Sequence, residues 1–417
     1  MKKKIIIISY HFHPSSKIGA KRWSKFSRYL TKGEYDVEVI TSSEQNDSKS
    51  GWNNESIFNI PIITRLKNES TLSSLIRWHP KNFLEKTVRR ILIFFFSCMC
   101  IDEAQAWCFK VGNHLNKYQS INAETKVIVS VAPFSLLFLP FILSKTYKKN
   151  NLICDIRDIW NDKQSNFNNR PRLIKFFEKL CLRKFNYLLT VSDTLKSVML
   201  AEHNFRKENI LVLYNGFDSN NDLTEEKILQ IPNENILNIT YAGSLSFGRK
   251  EKFLEFLNFL IDNDNQIKTR FKKHGLRVNY FGSESFDSSF KTFFEEKLLV
   301  NHGSASHKDV LLFQARSDIN LVINSERFSY IFKEGKRNFA VSSKLFELLN
   351  LKKNIFILSN SGAISELCEK EKFNFVTLSD SPKIDDFRFR VLDKNLFSNL
   401  DKFSYKEQSK LLMNFIS

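Results

Sequence analysis

Residues Val341–Glu366 read VSSKLFELLNLKKNIFILSNSGAISE, and the order of patterns within them sets the expectation for the whole chain. Leu345, Leu348 and Leu349 define one face of a short helix, and Lys344 and Glu347, three apart, also lie near one another on it. Ser342 and Ser343 stand where N-cap residues belong. A helix start that offers free N–H groups, hydroxyls and an ammonium is a ready site for a phosphate. Asn354–Leu358 has the unbroken apolar run of a core strand, and Ser359-Asn360-Ser361-Gly362 turns the chain into a second helix start at Ala363. Any capped helix–strand–helix unit would carry the same signals, so spacing alone leaves a phosphate site and a plain connection both open.

Outward from that stretch, composition bounds the answer. A chain of 417 residues exceeds what one ordinary core serves and fits two domains of about 200 residues each. With 42% hydrophobic residues, 13% aromatic and 40 phenylalanines, it has the means to bury a large core rather than stay disordered. The formal charge of +18 attracts polyanions, whether phosphorylated substrates, an anionic membrane face or nucleic acid. It is spread along the chain rather than blocked, and abundant lysine and asparagine also accompany compositional drift. The six cysteines, at Cys98, Cys100, Cys108, Cys154, Cys181 and Cys368, form no C-x-x-C pair. They read as reduced thiols in a cytoplasmic protein. MKKKIIIISY at the start is a first strand and not a leader, because polar residues follow its short apolar run at once. Ile91–Ile101, ILIFFFSCMCI, falls well short of the roughly 20 apolar residues that span a bilayer.

The β-branched run Lys4–Ser9 is that of a strand buried on both faces of a parallel sheet. It opens into the polar loop Tyr10–Ala20, which contains His11, His13, Pro14 and Gly19, and then into a helix over about 21–31. Doubly wound folds begin in this way, with ligands meeting the loop at the carboxyl end of the strand. His11 and His13 have no third ligand nearby, so loop contacts are preferred to a metal. Further strands are expected at 37–41, 60–64, 126–131, 152–155, 188–191 and 210–214, with a helical stretch over 75–117. Lys81, Lys86, Arg89 and Arg90 precede the apolar run in that stretch. Two readings stay open there: a core helix with a solvated basic end, and a segment lying on a membrane surface. The exit of the 152–155 strand, Asp155-Ile156-Arg157-Asp158-Ile159-Trp160-Asn161-Asp162, is the most polar cluster of this half. Carboxylates at a strand's carboxyl end are costly to bury. Arg157 could hold both aspartates ionised, making Asp158 or Asp155 a candidate general base. An ion-paired helix start explains the same residues equally well. Asn215-Gly216 is a strong turn signal ahead of a polar stretch, 219–235, read as the linker.

The second half repeats the alternation, with strands expected at 236–242, 278–281, 299–303, 319–323, 354–358 and 376–379. The first exits into Gly243-Ser244-Leu245-Ser246-Phe247-Gly248-Arg249-Lys250. Its glycine spacing is near that of a P-loop but lacks the lysine followed by Ser or Thr, which argues against ATP hydrolysis. Asp262-Asn263-Asp264 follows a helix rather than a strand and reads as a helix end, not a metal site. His307 is expected to cap a helix beginning near Lys308, and 405–416 is the final helix.

Several of these segments, in order along nearly the whole chain, resemble the GT-B glycosyltransferases, particularly the large family-4 group. Lys344, Phe346, Glu347 and Leu349 match a "K-l-f-E-y-l" donor motif; Ser9, Tyr10, Phe12, Pro14, Gly19, Ala20, Arg22 and Trp23 match "i-S-y-x-f-x-P…G-a-x-R-w". The "D-x-R-D-x-W", "N-G-f-D", "y-a-G-s-l" and "h-G-x-v-x-h" elements match at Asp155, Asn215, Tyr241 and His302. The resemblance implies an α/β chain of the GT-B fold, with two Rossmann-like doubly wound domains facing a central cleft. The acceptor domain would be 1–218, joined by a C-terminal helix of about 403–417, and the donor domain 236–402. It implies a hexosyltransferase-like, metal-independent enzyme with no cofactor. A sugar would move from a nucleotide-sugar to a saccharide or lipid-linked acceptor in cell-surface polysaccharide synthesis, at the inner face of the membrane and without nucleic acid. Donor-binding residues would be Gly243, Ser244, Arg249, Lys344, Glu347, Ser343 and Gly303; Glu347 would hold the ribose hydroxyls, and Arg249 and Lys344 the diphosphate. His13, Gly19 and Arg157 would line the acceptor loop, and Asp158 and Asp155 would be catalytic. The chain departs from the pattern at Phe339, eight residues before Glu347, where many members carry another glutamate. A nucleotide-sugar epimerase of the same fold and a non-catalytic nucleic-acid-binding protein are the alternatives.

Overall fold

The computed structural model describes residues 3–15, 17–33, 35–43, 62–68, 74–75, 78–98, 102–117, 124–143, 152–160, 171–218, 235–325, 328–359, 362–371, 375–378 and 400–417. Asn161, Asp162, Asn360, Ser361 and nearly all of the expected linker lie outside them. The chain divides into two compact units: one holds the chain up to Tyr214 together with Gln408–Ser417, the other Asn215–Glu407.

Seven parallel strands form the sheet of the first unit: β1 (Lys3–Ser9), β2 (Tyr35–Ser42), β3 (Ile62–Leu66), β4 (Lys126–Ser130), β5 (Leu152–Asp155), β6 (Tyr187–Thr190) and β7 (Ile210–Val212). Their order across the sheet is β3-β2-β1-β4-β5-β6-β7. Ile5, Ile6, Ile7 and Ile8 are all fully buried, because β1 lies mid-sheet with Ile7 between Val39 and Ile128. A strand covered on both faces can be apolar at every position instead of alternating.

The second unit repeats the plan with β8 (Ile236–Ala242), β9 (Gly275–Phe281), β10 (Leu299–Asn301), β11 (Ile319–Ile323), a hairpin of β12 (Ser329–Phe332) and β13 (Gly335–Asn338), then β14 (Asn354–Leu358) and β15 (Phe375–Leu378). The main sheet is again parallel, in the order β10-β9-β8-β11-β14-β15. Counted along each main sheet, the hairpin left out, both orders read 3-2-1-4-5-6, the doubly wound order of dinucleotide-binding folds. Phe253, Phe256 and Leu260 from the Arg249–Asp262 helix pack with Tyr280, Phe290 and Phe356 in the core of this unit.

Three expectations change. Among the described residues, 78–117 holds two helices, Phe83–Cys98 and Gln105–Lys117; ahead of the second, the Asp102 carboxylate takes the Ala104 amide at 3.0 Å. The β12–β13 hairpin was not anticipated, since its strands are only four residues each and the second, Gly-Lys-Arg-Asn, is polar and mostly exposed, so no long apolar run marks it. Asp262-Asn263-Asp264 does end a helix, but a second one, Asp264–Phe271, follows directly.

Candidate functional site

In a sheet of this order the chain starts mid-sheet, moves outward one way, then returns and moves out the other way. Ligands therefore meet the carboxyl ends of the two strands on either side of the reversal. In the second unit those strands are β8 and β11. The β8 exit is Ala242-Gly243, and Lys344, in the first turn of the Ser343–Asn350 helix, donates from Nζ to the Ala242 carbonyl at 2.6 Å. A Cβ on Gly243 would lie 2.3 Å from that ammonium, so any side chain there displaces it. At the neighbouring strand end, Arg249 Nε donates to the Ile323 carbonyl at 3.2 Å and Nη1 to Ser246 at 3.3 Å. The two cations thus cap the two strands flanking the reversal, each donating to a backbone carbonyl at a strand end.

Around them, three strand exits are knitted by backbone. Gly243 N–H donates to Phe281 at 2.8 Å and Gly282 N–H to Gly303 at 3.0 Å. Gly303 has φ +68, and a Cβ there would meet nothing within 4 Å. His302, before it, stacks on Phe281 with ring centroids 4.5 Å apart and an interplanar angle of 8°. Burial, with Arg277 nearby, lowers the His302 pKa. Tyr241 donates its hydroxyl to the Ser244 carbonyl at 2.8 Å. The Ser244 hydroxyl goes to Glu284 at 2.7 Å, so what Ser244 offers an anion is its amide. Glu347 sits 3.3 Å from His307 Nε2. Ser306 and not His307 caps the helix there, accepting from the Asp309 amide at 3.1 Å; His307 is its first residue and faces Glu347 instead. Ser342 precedes the Ser343–Asn350 helix without a side-chain capping bond. Phe339 is buried, 6.2 Å from the Phe328 ring.

In the first unit the reversal lies between β1 and β4, and one side chain spans it. Arg157 Nη2 donates to Val131, just past β4, at 3.1 Å. Its guanidinium lies on Gly19, where a Cβ would be 2.7 Å from Nη1. Asp155 is fully buried; Arg22 holds it through Nη2 at 3.0 Å and Nε at 3.3 Å, and Trp23 Nε1 donates at 2.8 Å. Arg157 Nε also pairs with Asp155, more loosely, at 3.9 Å, so the closer clamp on this aspartate comes from Arg22 of the Ile18–Thr31 helix. Arg22 stood in the quoted motif without a role; a fully buried partner on another element is not visible in spacing. Asp158 is half-buried in the same segment. His11 accepts from Lys17 Nζ at 3.0 Å. Burial, then Lys17 and Arg157, push its pKa down to about 3, so the ring is neutral at physiological pH. His13 contributes backbone: its carbonyl accepts from Arg65 at 2.7 Å and its amide donates to Ser24 at 3.3 Å. Among the described residues no group of three or more His, Cys, Asp or Glu is placed to hold a metal ion.

Behind the Asp155–Trp160 segment, Glu178 accepts the Trp160 amide at 2.9 Å and lies 3.7 Å from His203. Burial raises the Glu178 pKa to about 7 and lowers that of His203 to about 4. A carboxyl with a raised folded pKa contributes stability at low pH that is lost as pH rises, here between about 4.5 and 7. A histidine with a lowered one contributes above about 6.5 and loses this contribution as pH falls towards 4. Glu178→Gln keeps the acceptor for Trp160 and removes the first of these effects. It is expected to be near neutral at pH 5 and stabilising by about 1–3 kcal/mol at pH 8, read from urea midpoints at the two pH values. Equal midpoint shifts at both would refute the assignment.

No protein-family model matches the sequence, and no curated protein matches it significantly. Solved structures do match in fold. A sucrose-phosphate synthase from Thermosynechococcus elongatus superposes with a TM-score of 0.62 at 11% identity, over 99% of this chain and 98% of that one. WaaG, a glycosyltransferase involved in lipopolysaccharide biosynthesis, gives 0.53 at 12% over 98% and 95%. A UDP-GlcNAc 2-epimerase from Neisseria meningitidis, bound to UDP-GlcNAc, gives 0.53 at 10% over 99% and 99%. With both units wound 3-2-1-4-5-6 and likenesses that run the length of the chain, the protein has the GT-B fold.

Proposed function

We propose that the protein transfers a sugar from a nucleoside-diphosphate donor, held by the second unit, to a hydroxyl of a saccharide or lipid-linked acceptor. The observation that carries this reading is the pair of cations, Lys344 and Arg249, capping the adjacent strand ends at the β8–β11 reversal. As the bond between the anomeric carbon and the diphosphate oxygen breaks, negative charge grows on the leaving group. Fixed positive charges and the amide of Ser244 stabilise it without reorganising. Glu347 takes the ribose hydroxyls, beside His307; the nucleobase lies at the His302-Gly303 turn. The acceptor hydroxyl attacks the anomeric carbon and passes its proton to Asp158. Asp155, saturated by Arg22 and Trp23 in a fully buried pocket, is assigned a positioning role: it fixes the segment that carries Arg157 and Asp158. With Phe339 in place of the family's earlier glutamate, the sugar ring is recognised by other groups.

A thermal-shift panel of nucleoside-diphosphate sugars tests this. At least one is expected to raise the melting temperature in a concentration-dependent way, by the equivalent of about 2.7 kcal/mol at a hundred times its Kd, while the matching free sugar does not. A flat response across the panel would sink the reading. The likeness to the epimerase supports a second reading, in which one nucleotide-sugar is converted with no acceptor. Product formed by incubating the donor alone identifies that case.

A further inference from the structure

The glycine turn after β8 already holds an anion, and it is one of the protein's own. Glu284, in the irregular segment that leaves β9, accepts from the Ser244 hydroxyl at 2.7 Å and from the Ser246 hydroxyl at 3.1 Å, both at Oε1. These two bonds, ahead of the Leu245 amide between them and of Lys250, hold its pKa below the usual carboxylate value. The group is therefore charged at physiological pH. Lys250 has its own ion pair, with Asp287 at 2.7 Å. Successive polar groups of a tight turn that converge on one negative group form the kind of concavity in which proteins take phosphate.

The turn does not depend on Glu284 for its shape. Tyr241 holds the Ser244 carbonyl and Arg249 the Ser246 carbonyl, while the Ser325 hydroxyl donates to the Phe247 carbonyl at 2.9 Å. Leu245 is anchored in the core of the unit, and the Ser246 amide closes onto the Ser244 hydroxyl at 3.1 Å. What Glu284 adds to a turn fixed from these other sides is a negative charge. Its side chain is half-buried and free to swing outward without opening the core. We infer that Glu284 is an internal stand-in for phosphate at the Gly243–Gly248 turn. Its carboxylate competes with the donor diphosphate, gives way as the donor binds, and returns as the nucleoside-diphosphate product leaves. An ionised acceptor makes bonds roughly twice as strong as a neutral one, and a carboxylate that stayed beside the diphosphate would repel it. This role rests on the donor site proposed above, to which it adds a residue that weakens binding and favours release.

Inorganic pyrophosphate, which carries the diphosphate without base or sugar, is the probe, titrated calorimetrically into the full chain at fixed ionic strength. Glu284→Gln keeps the length and an acceptor oxygen but loses the charge; Glu284→Ala loses both. Each is expected to bind pyrophosphate about tenfold more tightly than the parent. Unchanged or weaker binding by Glu284→Gln would overturn the proposal. So would weaker binding by Glu284→Ala, the sign of a residue that merely braces the turn, and so would the failure of all three proteins to bind. Lys344→Ala separates this role from the donor site itself. If it weakens pyrophosphate binding while Glu284→Gln changes nothing, the donor site stands and the stand-in falls. If Glu284→Gln tightens binding while Lys344→Ala has no effect, Glu284 competes at the turn as inferred and the donor assignment of Lys344 falls.

Discussion

Replacing Lys344 by alanine is expected to weaken nucleotide-sugar binding by about 10- to 150-fold, and Arg249→Ala nearly as much. Each charge-assisted bond to a phosphate contributes about 1.5–3 kcal/mol, which is roughly 10- to 150-fold in Kd. The loss of either should therefore cut the nucleotide-dependent rise in melting temperature, at a fixed concentration of a hundred times the parent's Kd, to about half or less. The double variant is expected to cost less than the sum, because the two groups act on one ligand group. Gly243→Ala approaches the same contact without changing any charge: its Cβ would lie 2.3 Å from the Lys344 ammonium and must push it off the strand end. Loss of binding in that variant, with Lys291→Ala unaffected at a position 74% exposed, would locate the effect in the position of the ammonium. If Lys344→Ala binds its donor as the parent does, the donor site has been misplaced.

The second large effect is on stability. Arg22 and Asp155 are both fully shielded from solvent, and Arg22 also donates to the Leu213 carbonyl at 2.9 Å. It joins the first helix, β5 and the end of β7. Removing one partner of such a pair leaves a buried charge without compensation, which costs about 3–5 kcal/mol. Arg22→Ala and Asp155→Ala are each expected to lower the urea midpoint of the first unit by an amount of that size. Replacing both with apolar residues of similar volume should cost much less than the two single changes together. Single variants costing under about 1 kcal/mol would mean the pair behaves as an exposed one. The cycle also separates roles. If Asp155 positions rather than reacts, the paired apolar variant regains the fold and with it part of the activity, whereas any Asp158 substitution leaves the fold intact and the rate low.

The strands were legible because most are buried on both faces and so lie in apolar runs: 152–155, 236–242, 319–323 and 354–358 are observed where the pattern placed them. The final helix, Tyr405–Ile416, is likewise where periodicity put it. The hairpin at Ser329–Asn338 was illegible for the opposite reason: its strands are short, and the turn and second strand are charged and largely exposed. Within the candidate site, Lys344 and Arg249 were readable as cations beside glycine turns. Their shared location required the strand order, which sets β8 beside β11 although 80 residues separate the paired Tyr241 and Leu321. Arg22 shows the limit most clearly, lying 133 residues from the carboxylate it holds. His307 was read as a cap because a polar residue at a helix start usually is one, while its neighbour Ser306, with the shorter hydroxyl, takes that place.

The end of the chain also bears on how the protein comes into being. The Tyr214 amide donates to Gln408 across a separation of 194 residues, Tyr35 meets Ser417 at 3.3 Å, and the Tyr187 and Phe415 rings lie 5.4 Å apart. Ribosomes deliver the chain from its beginning, and domains generally fold as they emerge. Here the first unit must wait, with part of its surface uncovered, while the whole of the second is synthesised. Its closing helix arrives last, so premature termination shortly before Gln408 would yield two nearly complete sheets and one open flank.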